Sequence, residues 1–140
     1  MSAEFQAWLQ QNGLVEVFTT SAGDAFYANA AKGFGVLRQQ NTFGVQSFYL
    51  NDIIEFKTKD DEKTIAHYSG LGAVQFFPRA TSHSTNEVYT EIRFRNQSVL
   101  KLQVFRATGD NISRATQNHV NLYNYACQLS QILYQYATYK

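Results

Sequence analysis

Residues 113–137 read SRATQNHVNLYNYACQLSQILYQYA and form the clearest structural pattern in the chain. Ser113 is a residue type that often caps a helix, and the sequence after it predicts a helix over residues 113–138. Apolar and weakly polar residues recur there at alternating steps of four and three, which places them on one helical face. This stripe consists of Ala115, His119, Leu122, Ala126, Leu129, Leu133 and Tyr136. Because the sequence contains no second long helix, we expect the stripe to pack on a sheet.

The segment that precedes this helix has the two-residue period of β-strands. Apolar and polar residues alternate over 88–95 and again over 100–104, and Asn96-Gln97-Ser98 between them predicts a hairpin turn. Farther upstream, Asn51-Asp52 predicts a kink between two more strands. One face of the hairpin is therefore expected to be buried and the other solvated.

The order of these patterns predicts an α+β fold that is mainly β. We expect six to seven strands in a strongly bent antiparallel sheet or partly open barrel, capped by the long C-terminal helix. Residues 2–12 predict a short N-terminal helix capped by Ser2. A run of strands followed by a helix argues against βαβ units. No linker divides the sequence, so we expect one domain over residues 1–140, with 1–13 as a helical extension.

The composition excludes several classes of protein. Charged residues make up 16% of the chain, against roughly 25% in typical domains, and the net charge is +1. Disorder and global attraction to nucleic acid or anionic membranes are therefore not expected. The single cysteine, Cys127, excludes an internal disulfide, and no run approaches the roughly 18 apolar residues of a transmembrane segment. Met1-Ser2-Ala3-Glu4 does not read as a signal peptide, so a cytoplasmic location is expected.

The titratable residues form no catalytic or metal-binding pattern. The three histidines are His67, His83 and His119, and their spacing supports no metal site. We interpret His119 as a core residue with a local hydrogen bond, and Cys127 as a buried, unreactive thiol. The mixed charges of residues 57–63 predict a solvated hairpin tip, where no apolar setting would raise the pKa of Asp60-Asp61-Glu62. The sequence thus predicts no enzyme activity, no cofactor and no metal.

Two sets of surface residues are candidate binding sites. Five of the nine tyrosines lie on the C-terminal helix or next to its end, and Tyr123, Tyr134 and Tyr139 form a possible interface with a protein partner or a second copy. A possible basic patch, Arg93, Arg95 and Lys101, lies on the predicted hairpin beside Tyr89. Aromatic rings among bases can stack on nucleic acid, but Glu91 interrupts the patch, so nucleic acid is not the favoured partner.

The stretch Tyr49-Leu50-Asn51-Asp52-Ile53-Ile54-Glu55-Phe56 and the order of elements resemble the bacterial pleckstrin-homology-like (PH/GRAM-like) domains. Gly70-Leu71-Gly72-Ala73-Val74 and the closing helix are also similar to small bacterial members. The resemblance implies a seven-stranded, partly open barrel that acts as an adaptor for lipid head groups, peptides or other domains. In the family's phosphoinositide readers a basic cluster lies on the first hairpin. Lys32 and Arg38 are the nearest counterparts here, and Gln40 replaces the final base.

These observations leave three hypotheses for function. The leading one is a non-catalytic interaction domain that binds protein through the tyrosine face or an open sheet edge. The second is a small carrier or enzyme with a cone-like α+β barrel, whose apolar pocket would contain His119 or Tyr136. The third is weak binding of a lipid head group.

Overall fold

A computed structural model describes residues 2–138 of the chain. In chain order the elements are α1 (Ala3–Gln11), β1 (Val15–Thr19), β2 (Ala25–Asn29), β3 (Phe34–Gln39), β4 (Gly44–Tyr49), a 3₁₀ helix (Leu50–Asp52), β5 (Ile53–Asp60), β6 (Lys63–Tyr68), β7 (Gln75–Phe76), β8 (Ser84–Thr85), β9 (Glu87–Phe94), β10 (Val99–Arg106), β11 (Ile112–Ser113) and α2 (Gln117–Ala137). The predicted α+β class is confirmed. Within the described residues there are eight strands of at least five residues and three of two, instead of the six to seven expected.

The strands form two large open sheets rather than one bent sheet. Sheet A has the order β1-β2-β3-β4, and sheet B has the order β10-β9-β5-β6-β7. β11 and β8 make a separate two-stranded pair. The 3₁₀ helix Leu50–Asp52 leads from sheet A into sheet B, which confirms the predicted kink at Asn51-Asp52. Both large sheets keep free edges, and neither closes into a barrel.

The main core lies between the two sheets and α2. Sheet A contributes Phe26 and Leu37, sheet B contributes Phe56 and Ile92, and the helix contributes Leu129 among others. Of the predicted helical stripe, five members are buried: His119, Leu122, Ala126, Leu129 and Leu133. The stripe therefore packs on the sheets, as its narrow apolar face requires.

The start of α2 differs from the prediction. The helix begins at Gln117 with Thr116 as its N-cap, and the Thr116 hydroxyl accepts a hydrogen bond from the His119 amide at 3.4 Å. Ser113 instead belongs to β11, where it lies opposite Ser84 of β8. Ser113 and Thr116 are both residue types that can cap a helix. The tertiary pairing of β11 with β8 decides between them.

The other face of sheet A is covered by α1, the short helix that the N-terminal pattern predicted. The Ser2 hydroxyl caps the helix by accepting a hydrogen bond from the Phe5 amide at 3.1 Å. Phe5 and Leu9 pack with Tyr27 and Val36 in a second, smaller core. Sheet A therefore has an inner face toward the main core and an outer face toward α1.

Candidate interaction surface

The predicted tyrosine surface lies partly against the protein itself. The Tyr123 hydroxyl donates to the Phe77 carbonyl oxygen, and the Tyr134 ring packs edge-on against Tyr68 with centroids 5.4 Å apart. Both tyrosine side chains are half-buried. Tyr139 lies outside the described residues. A contact between these tyrosines and a partner stays a prediction.

The predicted basic residues are each close to an acid. The pairs are Arg93–Glu55 at 3.6 Å, Arg95–Asp52 at 3.5 Å and Lys101–Glu87 at 3.4 Å. The Lys101 ammonium group also lies over the Tyr89 ring, 4.2 Å from its centroid. These bases therefore belong to a surface that carries both positive and negative charges.

Asp60 is not part of a solvated tip, and this prediction was wrong. The turn is only Asp61-Glu62, and Asp60 is the last residue of β5, with 2% of its surface exposed. Side chains alternate along a strand, so Asp60 faces the core together with Phe56 and Thr58. That alternation is the sequence signal that could have located it.

Three side chains surround the Asp60 carboxylate. The Thr85 hydroxyl, the Arg114 guanidinium and the His119 ring nitrogen Nε2 lie 2.6, 3.0 and 2.8 Å from its oxygens. Burial by itself would raise the carboxyl pKa. The hydrogen bonds from Arg114, Thr85 and His119 outweigh burial, and the pKa of Asp60 falls below its ordinary value of 3.8.

His119 is buried as predicted, but its partners are distant in sequence rather than local. Arg79 Nη1 lies 3.0 Å from its Nδ1. Because a guanidinium can only donate hydrogen bonds, Nδ1 accepts and the Nε2–H donates to Asp60. We call Asp60, Arg79, Arg114 and His119 the buried ionic cluster. None of its members lines the four most prominent clefts in residues 2–138.

The other titratable candidates remain dispersed. Within residues 2–138 no group of three His, Cys, Asp or Glu side chains is placed to hold a metal ion. Cys127 is half-buried. Burial raises the pKa of its thiol above the ordinary 9.0, and a hydrogen bond with Tyr123 only partly opposes this. A raised pKa leaves little reactive thiolate at neutral pH.

Side chains cover part of the free edge of sheet B at β10. The hydroxyls of Thr20 and Ser21 donate to the carbonyl oxygens of Gln103 and Val104, at 2.6 and 2.8 Å. The Gln103 amide in turn donates to the Asp24 carboxylate at 2.8 Å. These contacts occupy outward-facing backbone groups at the Gln103–Val104 end of β10, which an edge strand would otherwise offer to another chain.

The edge of sheet A at β4 has no such cover. Leu50 donates its amide to the Gly33 oxygen at 2.9 Å, and hydrogen-bonded pairs alternate along an antiparallel ladder. The backbone N–H and C=O groups of Val45, Ser47 and Tyr49 therefore point away from β3. In the described part of the chain, no donor or acceptor reaches them. They form a free edge of unpaired backbone groups.

The side chains along this edge are uncharged and largely exposed. β4 has the sequence Gly-Val-Gln-Ser-Phe-Tyr. Val45 and Tyr49, on its outer face, are 44% and 64% exposed, and Phe43 just before the strand is 85% exposed. Monomeric proteins commonly protect an edge with charge, proline or a covering element. β4 has none of these protections.

A cleft lies at each end of β4. A cleft of about 730 Å³ opens between the Tyr49 end and the β9–β10 turn. Its lining is about equally polar and apolar, and Phe48, Phe94 and Leu100 form the apolar side. The rings of Phe48 and Phe94 are 4.9 Å apart. A second cleft, of about 290 Å³, lies at the Gly44 end between α1 and the β3–β4 hairpin.

Arg38 lines the smaller cleft together with Val45, its neighbour across the β3–β4 ladder. Of the six arginines, all of which lie in residues 2–138, it alone has a side chain that makes no hydrogen bond or ion pair. Its Nε atom is buried without a hydrogen-bond partner. The sequence drew attention to Arg38 only through the family resemblance and gave no sign that its guanidinium is unpaired.

Comparisons with protein-family models, curated proteins and solved structures give no match to this chain. In residues 2–138 neither helix combines the length and apolar character needed to cross a membrane.

Proposed function

We propose that this chain is a non-catalytic interaction domain that binds an extended segment of a protein partner along β4. The segment would add a fifth strand to sheet A. The observation that carries this proposal is the free edge at Val45, Ser47 and Tyr49. It contrasts with β10, where side chains bond to the backbone of Gln103 and Val104. Strand addition of this kind gains affinity from backbone hydrogen bonds and selectivity from alternate side chains.

The dimensions of the edge suit a short peptide. Six residues at about 3.4 Å each make β4 about 20 Å long, so a segment of six to eight residues would span it. Its outer-face side chains would cover Val45 and Tyr49. The removal of these apolar surfaces from water favours binding in addition to the backbone hydrogen bonds.

The buried ionic cluster supports a non-catalytic role. His119 and Asp60 are a pair that general acid–base chemistry could use, but they are 1% and 2% exposed. A substrate would have to displace packed core residues to reach them. Their contacts instead fasten β5, the segment around Arg79 and the start of α2 to one another.

The test is selection of linear 12-residue peptides from a display library on the immobilised full chain. The most enriched peptide should protect the amides of Val45, Ser47 and Tyr49 from hydrogen exchange. Ser47→Pro removes an outward N–H but no ladder bond to β3, and should abolish binding. Ser47→Ala keeps the N–H and should bind like wild type. Absence of enrichment, or equal binding to Ser47→Pro, would refute strand addition.

A small-ligand carrier is the second candidate, because the 730 Å³ cleft beside β4 lies within the usual 300–1,000 Å³ of ligand sites. The walls of this cleft contain Phe48 and Phe94 rather than the expected His119 or Tyr136. An apolar fluorescent dye, 1-anilinonaphthalene-8-sulfonate, distinguishes the two functions. The carrier would be favoured if the protein binds one dye molecule saturably, binds it equally in the Ser47→Pro variant, and enriches no peptide in the selection.

A further inference from the structure

We infer that the segment bound along β4 carries a bulky apolar residue and, three positions toward its C-terminus, an acidic residue that pairs with Arg38. This inference rests on the proposed function and specifies the chemistry of the partner. It follows from the two clefts, the unpaired guanidinium and the alternation of side chains along a strand.

The apolar residue would occupy the larger cleft. Phe48 lies on the inner face of β4, and directly opposed residues of paired strands share a face. An added residue opposite Phe48 would therefore point between the sheets, toward Phe94 and Leu100. The side of the cleft that these residues form is apolar and aromatic, so it favours a Leu, Ile, Met or Phe side chain.

The acidic residue would lie at the other end, over Val45. Arg38 and Val45 are opposed on the outer face, and both line the smaller cleft. An added residue opposite Val45 would project from the same face, with Arg38 within reach across Val45. A buried guanidinium atom without a partner is costly, and a carboxylate is the acceptor whose geometry matches it best.

The spacing follows from β4 itself. Positions 45 and 48 are three residues apart. Because side chains alternate along a strand, the partner residues opposite these two positions point to opposite faces of the sheet. Antiparallel pairing is slightly more stable per residue than parallel pairing, so the partner should run opposite to β4. The apolar residue then comes first and the acid follows at the third position after it.

A second copy of this chain does not fit the same site. Paired with itself, β4 would offer only Gly-Val-Gln-Ser-Phe-Tyr, which contains no acid. Arg38 would remain unpaired in both copies. Charge complementarity therefore favours a different, acidic segment as the occupant.

The experiment repeats the peptide selection with random octapeptides on wild type, Arg38→Gln and Arg38→Glu. Wild type should enrich peptides in which Asp or Glu follows an apolar residue at the third position. Arg38→Gln should bind the best of these about tenfold more weakly and lose the acidic preference. Arg38→Glu should select Lys or Arg at that position, which also shows that the variant is folded. Replacement of the peptide's acid by its amide provides the matched control, and should bind wild type and Arg38→Gln equally.

The two proposals fail in different ways. If enriched peptides protect the β4 amides but show no acidic preference, and Arg38→Gln binds them like wild type, the inference about Arg38 is overturned and strand addition stands. If no peptide depends on Ser47, strand addition itself is overturned. A mass that rises with concentration in light scattering, and returns to that of the monomer in Ser47→Pro, would instead identify a second copy as the occupant.

Discussion

Asp60→Asn tests the direction of the hydrogen bonds in the buried ionic cluster. Arg79 can only donate to His119 Nδ1, so His119 donates its Nε2–H to Asp60. Asparagine keeps one acceptor oxygen for Thr85 or Arg114 but presents an NH₂ group to His119. Two donors would then face each other. If His119 changed its tautomer, its Nδ1–H would face the Arg79 guanidinium, which is also a donor.

The expected loss of stability follows from these contacts. The Asp60 and Arg114 side chains are 3% and 12% exposed, so solvent screens their ion pair only slightly. Removing one partner of a buried pair costs about 3–5 kcal/mol. The oxygen that asparagine retains offsets roughly 1 kcal/mol of this. We therefore expect Asp60→Asn to lower the free energy of unfolding by about 2–4 kcal/mol at pH 7.

The same carboxylate should make the difference between wild type and variant depend on pH. The folded-state pKa of Asp60 is lower than its ordinary 3.8, so its stabilisation is complete above that unfolded value. It is lost as the pH falls through the folded-state pKa. The difference in unfolding free energy should be constant above about pH 5 and shrink progressively below about pH 4.

Urea denaturation followed by far-ultraviolet circular dichroism measures both effects. Asp61→Asn is the matched control. The asparagine oxygen can still accept from the Asn86 and Glu87 amides, and only the 3.4 Å contact with Arg114 is weakened, so the change should cost less than Asp60→Asn. Arg79→Met should cost less in the Asp60→Asn background than in wild type, because it frees His119 to accept from the asparagine. A loss under 1 kcal/mol for Asp60→Asn, or additive effects with Arg79→Met, would refute the proposed hydrogen-bond directions.

Three further predictions concern α2. Leu129→Ala, at a core position 5% exposed, should lower the free energy of unfolding by about 2–5 kcal/mol in urea, and wild-type stability would contradict its place in the core. Thr116→Ala should lower the free energy of unfolding by about 1 kcal/mol, because the helix loses its cap, and Ser113→Ala should lower it less. If thermal melts show Ser113→Ala to be the more destabilising change, Ser113 is the cap instead. Because the pKa of the Cys127 thiol is raised, iodoacetamide should alkylate it at least about tenfold more slowly at pH 8 in native protein than in urea, and equal rates would exclude an unreactive thiol.

The hydrogen bonds at the sheet edges relate the fold to the proposed function. Thr20, Ser21 and Asp24 cover β10, and the Tyr125 hydroxyl donates to the Thr19 carbonyl at the end of β1, at 3.3 Å. These polar groups act as local substitutes for a further strand. In the described residues, no side chain makes such a contact with the outward-facing backbone groups of β4.

The sequence by itself determined the elements whose patterns are local. The stripe from His119 to Leu133 identified the buried face of α2, and the alternation over 88–95 identified β9, one strand of the β9–β10 hairpin. Ser2 and Asn51-Asp52 correctly marked a helix cap and a kink. Each of these signals depends on residues only a few positions apart, because helices and strands impose short periods on side-chain direction.

The tertiary structure alone decided which distant residues meet. Asp60 and His119 are 59 positions apart, and their contact depends on α2 lying across the end of β5. Alternation from Phe56 could place Asp60 on the buried face, but no local pattern could supply the donors that stabilise its charge. The free edge of β4 depends likewise on which strand is absent beside it. Pairing between strands and helices is set by the packing of whole elements, so periodicity within one segment cannot reveal it.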